Sequence, residues 1–401
     1  MDINNELHKI LQSVNNHINK EYIEVEHLGI LSGLSGAALF QFYYSAYTND
    51  NSDNTTGIDI IGYCIQKINN GYGYPTYCGG IAGFTWMLQH LSEQNLIDLK
   101  GINLKDFEPY LYNCMLEDIK IANYDYLHGA TGYALYFLER FKVSDSVNDH
   151  FYKSYIIDFI HFLEENSVVH NGGIIWLTKD HDNKGGQNYN LGLAHGVASI
   201  IGILLRLSGF EDFKEKSEKL LKKAVTALIK QMNDIALSDS YFASLVPFGS
   251  ADYSKNSRLA WCYGDLGIGL QLLYYSKIIN DKNLNLQAKS VLKHCASRRS
   301  YDKTLILDAT VCHGAFGVAL MFNNAFRNTL DLTFLEARDY WLRFGIQLWE
   351  NKDKITEVHS VAFGDDKISV LNGMAGIGLA IISCISDLNQ WESSLMLHQY
   401  E

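Results

Sequence analysis

The chain has 401 residues, of which 47% are hydrophobic and 12% aromatic, enough apolar material for a large buried core. A formal net charge of −12, with no cluster of lysine and arginine, argues against binding to the phosphate backbone of a nucleic acid. The first 20 residues lack the order of a signal peptide, and no apolar run approaches the roughly 20 residues of a membrane span. We therefore expect a cytoplasmic protein without a transmembrane segment or a nucleic-acid partner.

Glycine pairs recur along the chain, and each opens an apolar run. Most have the form Gly-x-x-Gly, and Ser199 takes the place of the second glycine in the fourth. The spacing of roughly 50 to 70 residues is typical of repeats built from two helices and their loops. The seven elements begin at Gly33, Gly80, Gly129, Gly196, Gly264, Gly314 and Gly373.

The segments after the glycines differ from those between the repeats. Residues 268–275 are almost entirely apolar, which predicts a helix buried on all sides, whereas residues 281–293 carry mixed charges, which predicts a half-exposed helix. Seven such alternations predict an all-α fold, an α/α toroid with an inner and an outer layer and about fourteen helices in all. The even spread of repeats and the lack of a linker predict one domain over residues 1–401.

Two connections are longer than the rest and have room for inserted loops or short strands, around residues 140–190 and 209–257. They contain aromatic and amide side chains, among them Trp176, Asn188 and Phe248. Such loops at one end of a toroid are suited to holding an extended peptide. Ordinary surface padding is the alternative, and the sequence leaves both open.

Cysteine and histidine precede two of the glycine pairs. Cys262 and Cys312 each stand two residues ahead of a glycine, and His313 stands one ahead. If repeats five and six are neighbours, the two thiols and the imidazole can meet in a three-ligand zinc site with the fourth position open, as in catalytic zinc. Cysteines in the cytoplasm are mostly reduced, which favours metal or thiol chemistry over disulfides. The alternative is that each cysteine is simply packed in the core.

These motifs together resemble the lanthionine synthetase C family, the cyclases of lanthipeptide biosynthesis. The resemblance covers residues from about 30 to 385 and is carried by the glycine pattern with Trp261-Cys-Tyr-Gly264, Cys312-His-Gly314 and Asn190-Leu-Gly-Leu-Ala-His-Gly196. It implies an α/α barrel with one zinc ion per chain. The implied reaction is the addition of a peptide cysteine to dehydroalanine or dehydrobutyrine, which gives a lanthionine or methyllanthionine thioether ring.

The resemblance also implies roles for individual residues. The family's zinc ligands fall on Cys262, Cys312 and His313, and its catalytic residues fall on Asp125, His195, Arg258 and Tyr263. Attack of a thiolate on the dehydro residue generates an enolate, which needs a positive charge nearby and then a proton.

In this scheme Arg258 supplies the charge and His195 the proton. Asp125 either accepts the proton of the thiol or orients His195, and the sequence does not choose between these roles. Taken alone, His195 is better interpreted as a histidine at a helix terminus, but its position one residue before the fourth glycine, equivalent to that of His313, reverses this preference. Asp125 taken alone could be a helix N-cap.

Three further residues stand near the glycines without a role in the family pattern. We expect Cys78 and His128 to line the pocket, and Cys78 is a candidate reactive thiol. Asp265, directly after Gly264, either tunes the charge of the zinc site or caps a helix.

Other functions compete with the cyclase interpretation. One is a different thiol-activating zinc transferase, and a glycosidase is weaker because only Asp125 and Asp265 offer carboxylates at the right repeat positions. Another, from a different class, is a non-catalytic zinc- or glutathione-binding relative that acts as a scaffold. For the cyclase, the expected partners are a dehydrated precursor peptide and, in a membrane-associated complex, a dehydratase and an exporter.

Overall fold

The computed structural model describes residues 3–50, 54–99, 101–145, 149–179, 187–250, 252–351 and 367–397. In chain order, the α-helices of these residues are α1 Ile3–Glu21, α2 Leu34–Thr48, α3 Asn54–Asn69, α4 Ile81–Glu93, α5 Glu108–Lys120, α6 Ala130–Lys142, α7 Asp149–Glu165, α8 Val197–Leu207, α9 Glu211–Ile229, α10 Asp265–Ile278, α11 Lys282–Ser297, α12 Tyr301–Thr304, α13 Ala315–Thr329, α14 Leu332–Glu350 and α15 Met374–Ile385. The strands are β1 Val168–His170, β2 Gly173–Ile175, β3 Thr178–Lys179, β4 Gln187–Asn190 and β5 Leu245–Pro247. Short 3₁₀ helices span Tyr22–Glu24, Leu104–Asp106 and Gln390–Leu395.

Each of the seven apolar runs is a helix that begins directly after the first glycine of its element. These helices are α2, α4, α6, α8, α10, α13 and α15. They are buried over most of their length, and in α8 every residue is buried. The helices between them bury one face only; α9, for example, buries Phe213, Leu220 and Ala224 while its lysines face outward. The predicted alternation of buried and half-exposed helices is confirmed.

Close approach of the backbone explains why glycine is needed at the helix N-termini. A Cβ atom on Gly317 would lie 1.9 Å from the carbonyl oxygen of Val311, closer than any real contact. Gly264 has a φ of +90°, which side chains other than that of glycine rarely adopt. The glycines therefore let the loop that precedes each buried helix fold back onto the helix's first turn.

By its contacts the chain divides into two compact units. The first unit comprises Met1–Leu111 and Ile306–Leu397. In it α3 packs on α2 and α14 packs on α13, while α15 packs against both α2 and α13. In the described residues no half-exposed α-helix follows the buried helix α15. The half-exposed helix that packs on α15 is instead α1, from the other end of the chain.

The second unit comprises most of the middle of the chain, Tyr112–Leu305. Here α7 packs on α6, α9 on α8 and α11 on α10, and α8 lies against both α6 and α10. The two long connections contain short strands, one of the two possibilities that the sequence left open. β1 and β2 form an antiparallel hairpin, and β3, β4 and β5 form a sheet in that order, so that both insertions contribute to one sheet.

None of the helices in the described part of the chain is both long and apolar enough to cross a membrane.

Candidate functional site

His195 and Asp125 meet in the second unit. His195 directly precedes Gly196 and the start of α8, and Asp125 lies in the loop ahead of Gly129 and α6. Because α6 and α8 pack side by side, the loops at their N-termini come together. The Nδ1 atom of His195 lies 2.6 Å from Oδ2 of Asp125, within a short hydrogen bond. Both side chains remain partly exposed, at 31% for His195 and 20% for Asp125.

Backbone amides hold the other oxygen of the Asp125 carboxylate. Oδ1 accepts hydrogen bonds from the backbone N–H groups of Leu127 and His128, each 2.8 Å long. One oxygen is therefore fixed to the loop and the other to the imidazole. Asp125 thus stabilises the loop ahead of α6 through hydrogen bonds, and it also orients His195.

The charges of this pair stabilise each other. Burial alone would raise the pKa of Asp125, but the hydrogen bond with His195 and its positive charge bring that pKa below its ordinary value. Burial alone would lower the pKa of His195, but the hydrogen bond and charge of Asp125, with a smaller contribution from Cys262, raise it above the ordinary imidazole value. The carboxylate is therefore ionised at neutral pH, and the imidazole holds its proton more firmly than a free histidine.

A cavity of about 490 Å³ in the second unit contains this pair. The ring centroid of Tyr263 lies 6.1 Å from that of His195, and the ring of His128 stacks at 6.4 Å. The cavity is lined by Ile121, Ala122, Asn123, Tyr124, Asp125, His128, Thr178, Asn190, His195 and Tyr263.

The first long insertion forms part of the cavity wall. Thr178 lies on β3 and Asn190 ends β4. The hydroxyl of Tyr124 donates to the carbonyl of Trp176 at 2.9 Å and lies 3.0 Å from Oγ1 of Thr178, which anchors the insertion beside Asp125. This insertion is therefore part of the site and not only surface padding.

Arg258 does not line the cavity that contains His195. Its guanidinium donates a 3.3 Å hydrogen bond to the carbonyl of Leu305, and it lines a separate cavity of about 250 Å³ with Asp239, Arg298 and other residues. Of the four predicted catalytic residues, the structure thus brings together His195, Asp125 and Tyr263 around one cavity.

The three residues expected to bind zinc each lie directly ahead of a buried helix. Cys262, in the second unit, is 5% exposed and its carbonyl accepts a hydrogen bond from the N–H of Ala194, beside His195. Cys312 and His313, in the first unit, are half-buried ahead of α13, and the N–H of Cys312 donates to the carbonyl of Leu371.

Each of the three can offer one metal-ligand atom. Two thiols and an imidazole are a donor set that suits zinc and not magnesium or calcium, so the residues present fit the metal that the resemblance implies.

A third carboxylate, Asp308, lies at the site and was not predicted from the sequence. Its Oδ2 lies 3.2 Å from Nε2 of His313, and the carboxylate is 13% exposed. Asp308 stands six residues ahead of Gly314, outside the positions directly before each glycine pair that the sequence analysis considered.

The position six residues ahead of the glycine carries the same turn in three repeats. In each, Oδ1 of an Asn or Asp accepts a hydrogen bond from the backbone N–H two residues later, which is an Asx turn. The three are Asn123 to Asp125 at 3.3 Å, Asn190 to Gly192 at 2.8 Å and Asp308 to Thr310 at 2.7 Å. These repeats carry Asp125, His195 and the Cys312–His313 pair, so the recurring Asx residue was a usable signal in the sequence.

Asp265 has a structural role. It is fully buried as the first residue of α10, and its carboxylate accepts hydrogen bonds from the backbone N–H groups of Tyr241 and Phe242, at 2.9 and 2.8 Å. Nη1 of the buried Arg298 lies 3.8 Å away. Burial raises the pKa of Asp265 to about 6 in spite of these partners. Asp265 therefore ties the second insertion to α10.

The two remaining candidates, Cys78 and His128, differ in exposure. His128 is exposed and lines the cavity, as predicted. Cys78 is only 4% exposed, and its thiol donates to Oγ of Ser32 at 3.4 Å. A thiol so well buried is a poor candidate for the reactive group that its repeat position indicated.

Comparison with known proteins identifies the family. Residues 24–396 match the family model described as lanthionine synthetase C-like protein, and the chain belongs to that family. Over 410 aligned residues it is 25% identical to the nisin biosynthesis protein NisC of Lactococcus lactis subsp. lactis, with 94% of this chain and 91% of the relative covered. It also resembles a solved structure of nisin cyclase, with a TM-score of 0.74, 22% identity and coverage of 99% of this chain and 98% of the other. The match confirms the predicted fold class, an all-α protein of the α/α toroid type.

Proposed function

We propose that this protein is a zinc-dependent lanthipeptide cyclase. It adds cysteine thiols of a dehydrated precursor peptide to dehydroalanine or dehydrobutyrine residues of the same peptide. The observation that carries the proposal is the His195–Asp125 pair in the cavity of a chain that belongs to the lanthionine synthetase C-like family. The names of two similar proteins, a nisin biosynthesis protein and a nisin cyclase, support it.

Cys262, Cys312 and His313 would hold the zinc ion. When bound, the ion lowers the pKa of a coordinated peptide thiol so that the thiol is ionised near neutral pH. Three protein ligands leave one position open for that thiol. The support for this part of the proposal is the donor set, the family and the carboxylate of Asp308 beside His313.

His195 would supply the proton that completes the addition. The reaction forms a bond between sulfur and the β-carbon, breaks the carbon–carbon π bond and leaves a carbanion that takes up a proton at the α-carbon. Nδ1 of His195 is bonded to Asp125, so Nε2 is the ring atom that can give this proton. The raised pKa of His195 keeps it protonated over a wider pH range. The proton lost by the thiol balances the one delivered.

The neighbours of His195 have supporting parts. Asp125 stays ionised and orients the imidazole, because its two oxygens are held by His195 and by backbone amides. Tyr263 forms the cavity wall beside the imidazole. For Arg258, the proposed role of stabilising the enolate rests on the family resemblance alone, because its guanidinium lies at a separate cavity.

A cyclisation assay tests the activity. Ring formation leaves the mass of a peptide unchanged but consumes a thiol, so the readout is the number of cysteines that iodoacetamide still alkylates. A synthetic peptide with one dehydroalanine and one cysteine should lose its free thiol with the wild-type protein and keep it with His195→Ala. Equal thiol counts with and without the wild-type protein, over a panel of such peptides, would favour the non-catalytic scaffold instead.

Metal analysis tests the zinc site separately. Elemental mass spectrometry of the purified protein should find about one zinc per chain, as for a single site with three protein ligands. Cys312→Ala should lose it. Cys64→Ala is the matched control, since Cys64 is a buried cysteine of α3. Retention of zinc in Cys312→Ala would remove that residue from the proposed ligand set.

A further inference from the structure

The repeat that carries Cys312 and His313 differs from its two counterparts at one position. Asn123 and Asn190 make their Asx turns with an amide oxygen, whereas the residue at this position in the sixth repeat is the carboxylate of Asp308. Because the two asparagines form the turn, the turn itself does not require a carboxylate. The negative charge and second oxygen of Asp308 therefore need another explanation.

The second oxygen of Asp308 faces a proposed metal ligand. Oδ1 of Asp308 accepts from the backbone N–H of Thr310 at 2.7 Å and from its hydroxyl at 2.6 Å, while Oδ2 lies 3.2 Å from Nε2 of His313. The backbone at Gly314 closes over the carboxylate, since a Cβ atom there would lie 2.3 Å from Oδ1. The carboxylate is thus fixed by one oxygen and presents the other to the imidazole.

A carboxylate in this position decides which ring nitrogen carries the proton. An ionised carboxylate only accepts hydrogen bonds, so it favours the tautomer of His313 with its proton on Nε2. Nδ1 then has the lone pair that a metal needs. An asparagine that kept the turn through Oδ1 would instead place its uncharged amide donor, Nδ2, opposite Nε2.

We propose that Asp308 is a positioning residue that fixes the tautomer and orientation of His313 for metal binding. The proposal rests on the proposed function in that it takes His313 as a zinc ligand. Carboxylates that hold metal-binding histidines in this way typically change metal affinity by about 10 to 100-fold when they are replaced.

The test compares zinc affinity in two variants of one turn. Asp308→Asn keeps an Oδ1 acceptor for the turn and removes the carboxylate from His313. Thr310→Val removes the hydrogen bond from the threonine hydroxyl to Oδ1 of Asp308 and leaves the contact between Asp308 and His313 intact. Thr310 is only 1% exposed. Zinc dissociation constants are measured by competition with a chromophoric chelator, and the thermal unfolding of the metal-free proteins is followed by circular dichroism.

We expect Asp308→Asn to bind zinc about 10 to 100-fold more weakly than the wild type, with little change in the unfolding temperature of the metal-free form. Thr310→Val should bind zinc as tightly as the wild type even if its unfolding temperature falls. Wild-type affinity in Asp308→Asn, or equal weakening in both variants, would show that Asp308 only supports the turn. A wild-type protein without zinc would overturn the metal site itself, a distinct result.

Discussion

The imidazole of His195 and the carboxylate of Asp125 are joined by a 2.6 Å hydrogen bond, although the two residues are 70 positions apart in the chain. The bond exists because each residue lies in the loop ahead of a buried helix, and the two helices, α6 and α8, are neighbours. Of the two roles left open for Asp125, the contact favours orienting His195. The same cavity contains both, with Tyr263 and His128 beside them.

Replacing His195 with alanine should lower the rate of cyclisation by about 100-fold or more, because the α-carbon then loses the proposed proton donor. Zinc content should stay unchanged, since the proposed ligands are not touched. The matched control is His128→Ala, which removes an exposed imidazole from the same cavity wall and should keep most of the rate. Thiol alkylation over time gives the rates. Similar losses in both variants would mean that the cavity and not the proton donor was damaged.

Replacing Asp125 with asparagine should change the pH dependence of the rate. In the proposed mechanism the rate depends on protonated His195, so it should fall as the pH rises through the pKa of His195. Asp125 raises that pKa through its hydrogen bond and charge, and their loss should move the alkaline limb of the profile to lower pH. Rates measured across the pH range with a single peptide provide the test. A limb at the same pH in both proteins would show that His195 does not control it.

Asp265→Ala should destabilise the fold without removing a catalytic group. It leaves two backbone N–H groups buried without their acceptor and the buried guanidinium of Arg298 without the nearby carboxylate charge, which typically costs about 3 to 5 kcal/mol of unfolding free energy. Asp239→Ala is the control, because that carboxylate is 51% exposed and its ion pair with Lys303 contributes little. Urea denaturation measures both. A loss in Asp265→Ala no larger than in the control would contradict the structural role.

The packing of α1 on α15 predicts that the N-terminal helix is needed for stability. Leu7 is a fully buried residue of α1, and Leu7→Ala should cost about 2 to 5 kcal/mol. Lys9→Ala, on the same helix and 61% exposed, should cost little. Urea denaturation distinguishes them. If Leu7→Ala unfolded at the same urea concentration as Lys9→Ala, the helix would not be an integral part of the core.

The seven buried helices could be predicted because the two features that mark each of them are close together in the sequence. A glycine pair and an apolar run lie within a few residues of each other, so the N-termini of these seven helices could be read directly. The pairing of α1 with α15 could not, since the two helices lie at opposite ends of the chain and α1 follows no glycine pair. Its alternation of buried and exposed residues indicates an amphipathic helix but not its partner.

The candidate site was predictable where a side chain stands next to a glycine pair. His195, Cys262 and His313 were proposed in this way, whereas Asp308 was missed because it stands six residues ahead of its glycine and reaches His313 through a turn. Asp265 is the opposite case. Its position close to the proposed zinc ligands suggested a role in tuning the charge of the zinc site, but its carboxylate anchors a loop. Whether a charged residue near a glycine faces the cavity or the core depends on the loop that packs over it.

Zinc-dependent cyclisation is tested by the thiol count of a dehydroalanine-containing peptide incubated with the zinc-loaded protein, the zinc-stripped protein and the stripped protein after zinc is restored. We expect the peptide to lose its free thiol with the loaded protein, to keep it with the stripped protein and to lose it again once zinc is restored. Equal loss of the thiol with and without zinc, or no loss with any form of the protein, would contradict the proposal that this chain is a zinc-dependent cyclase.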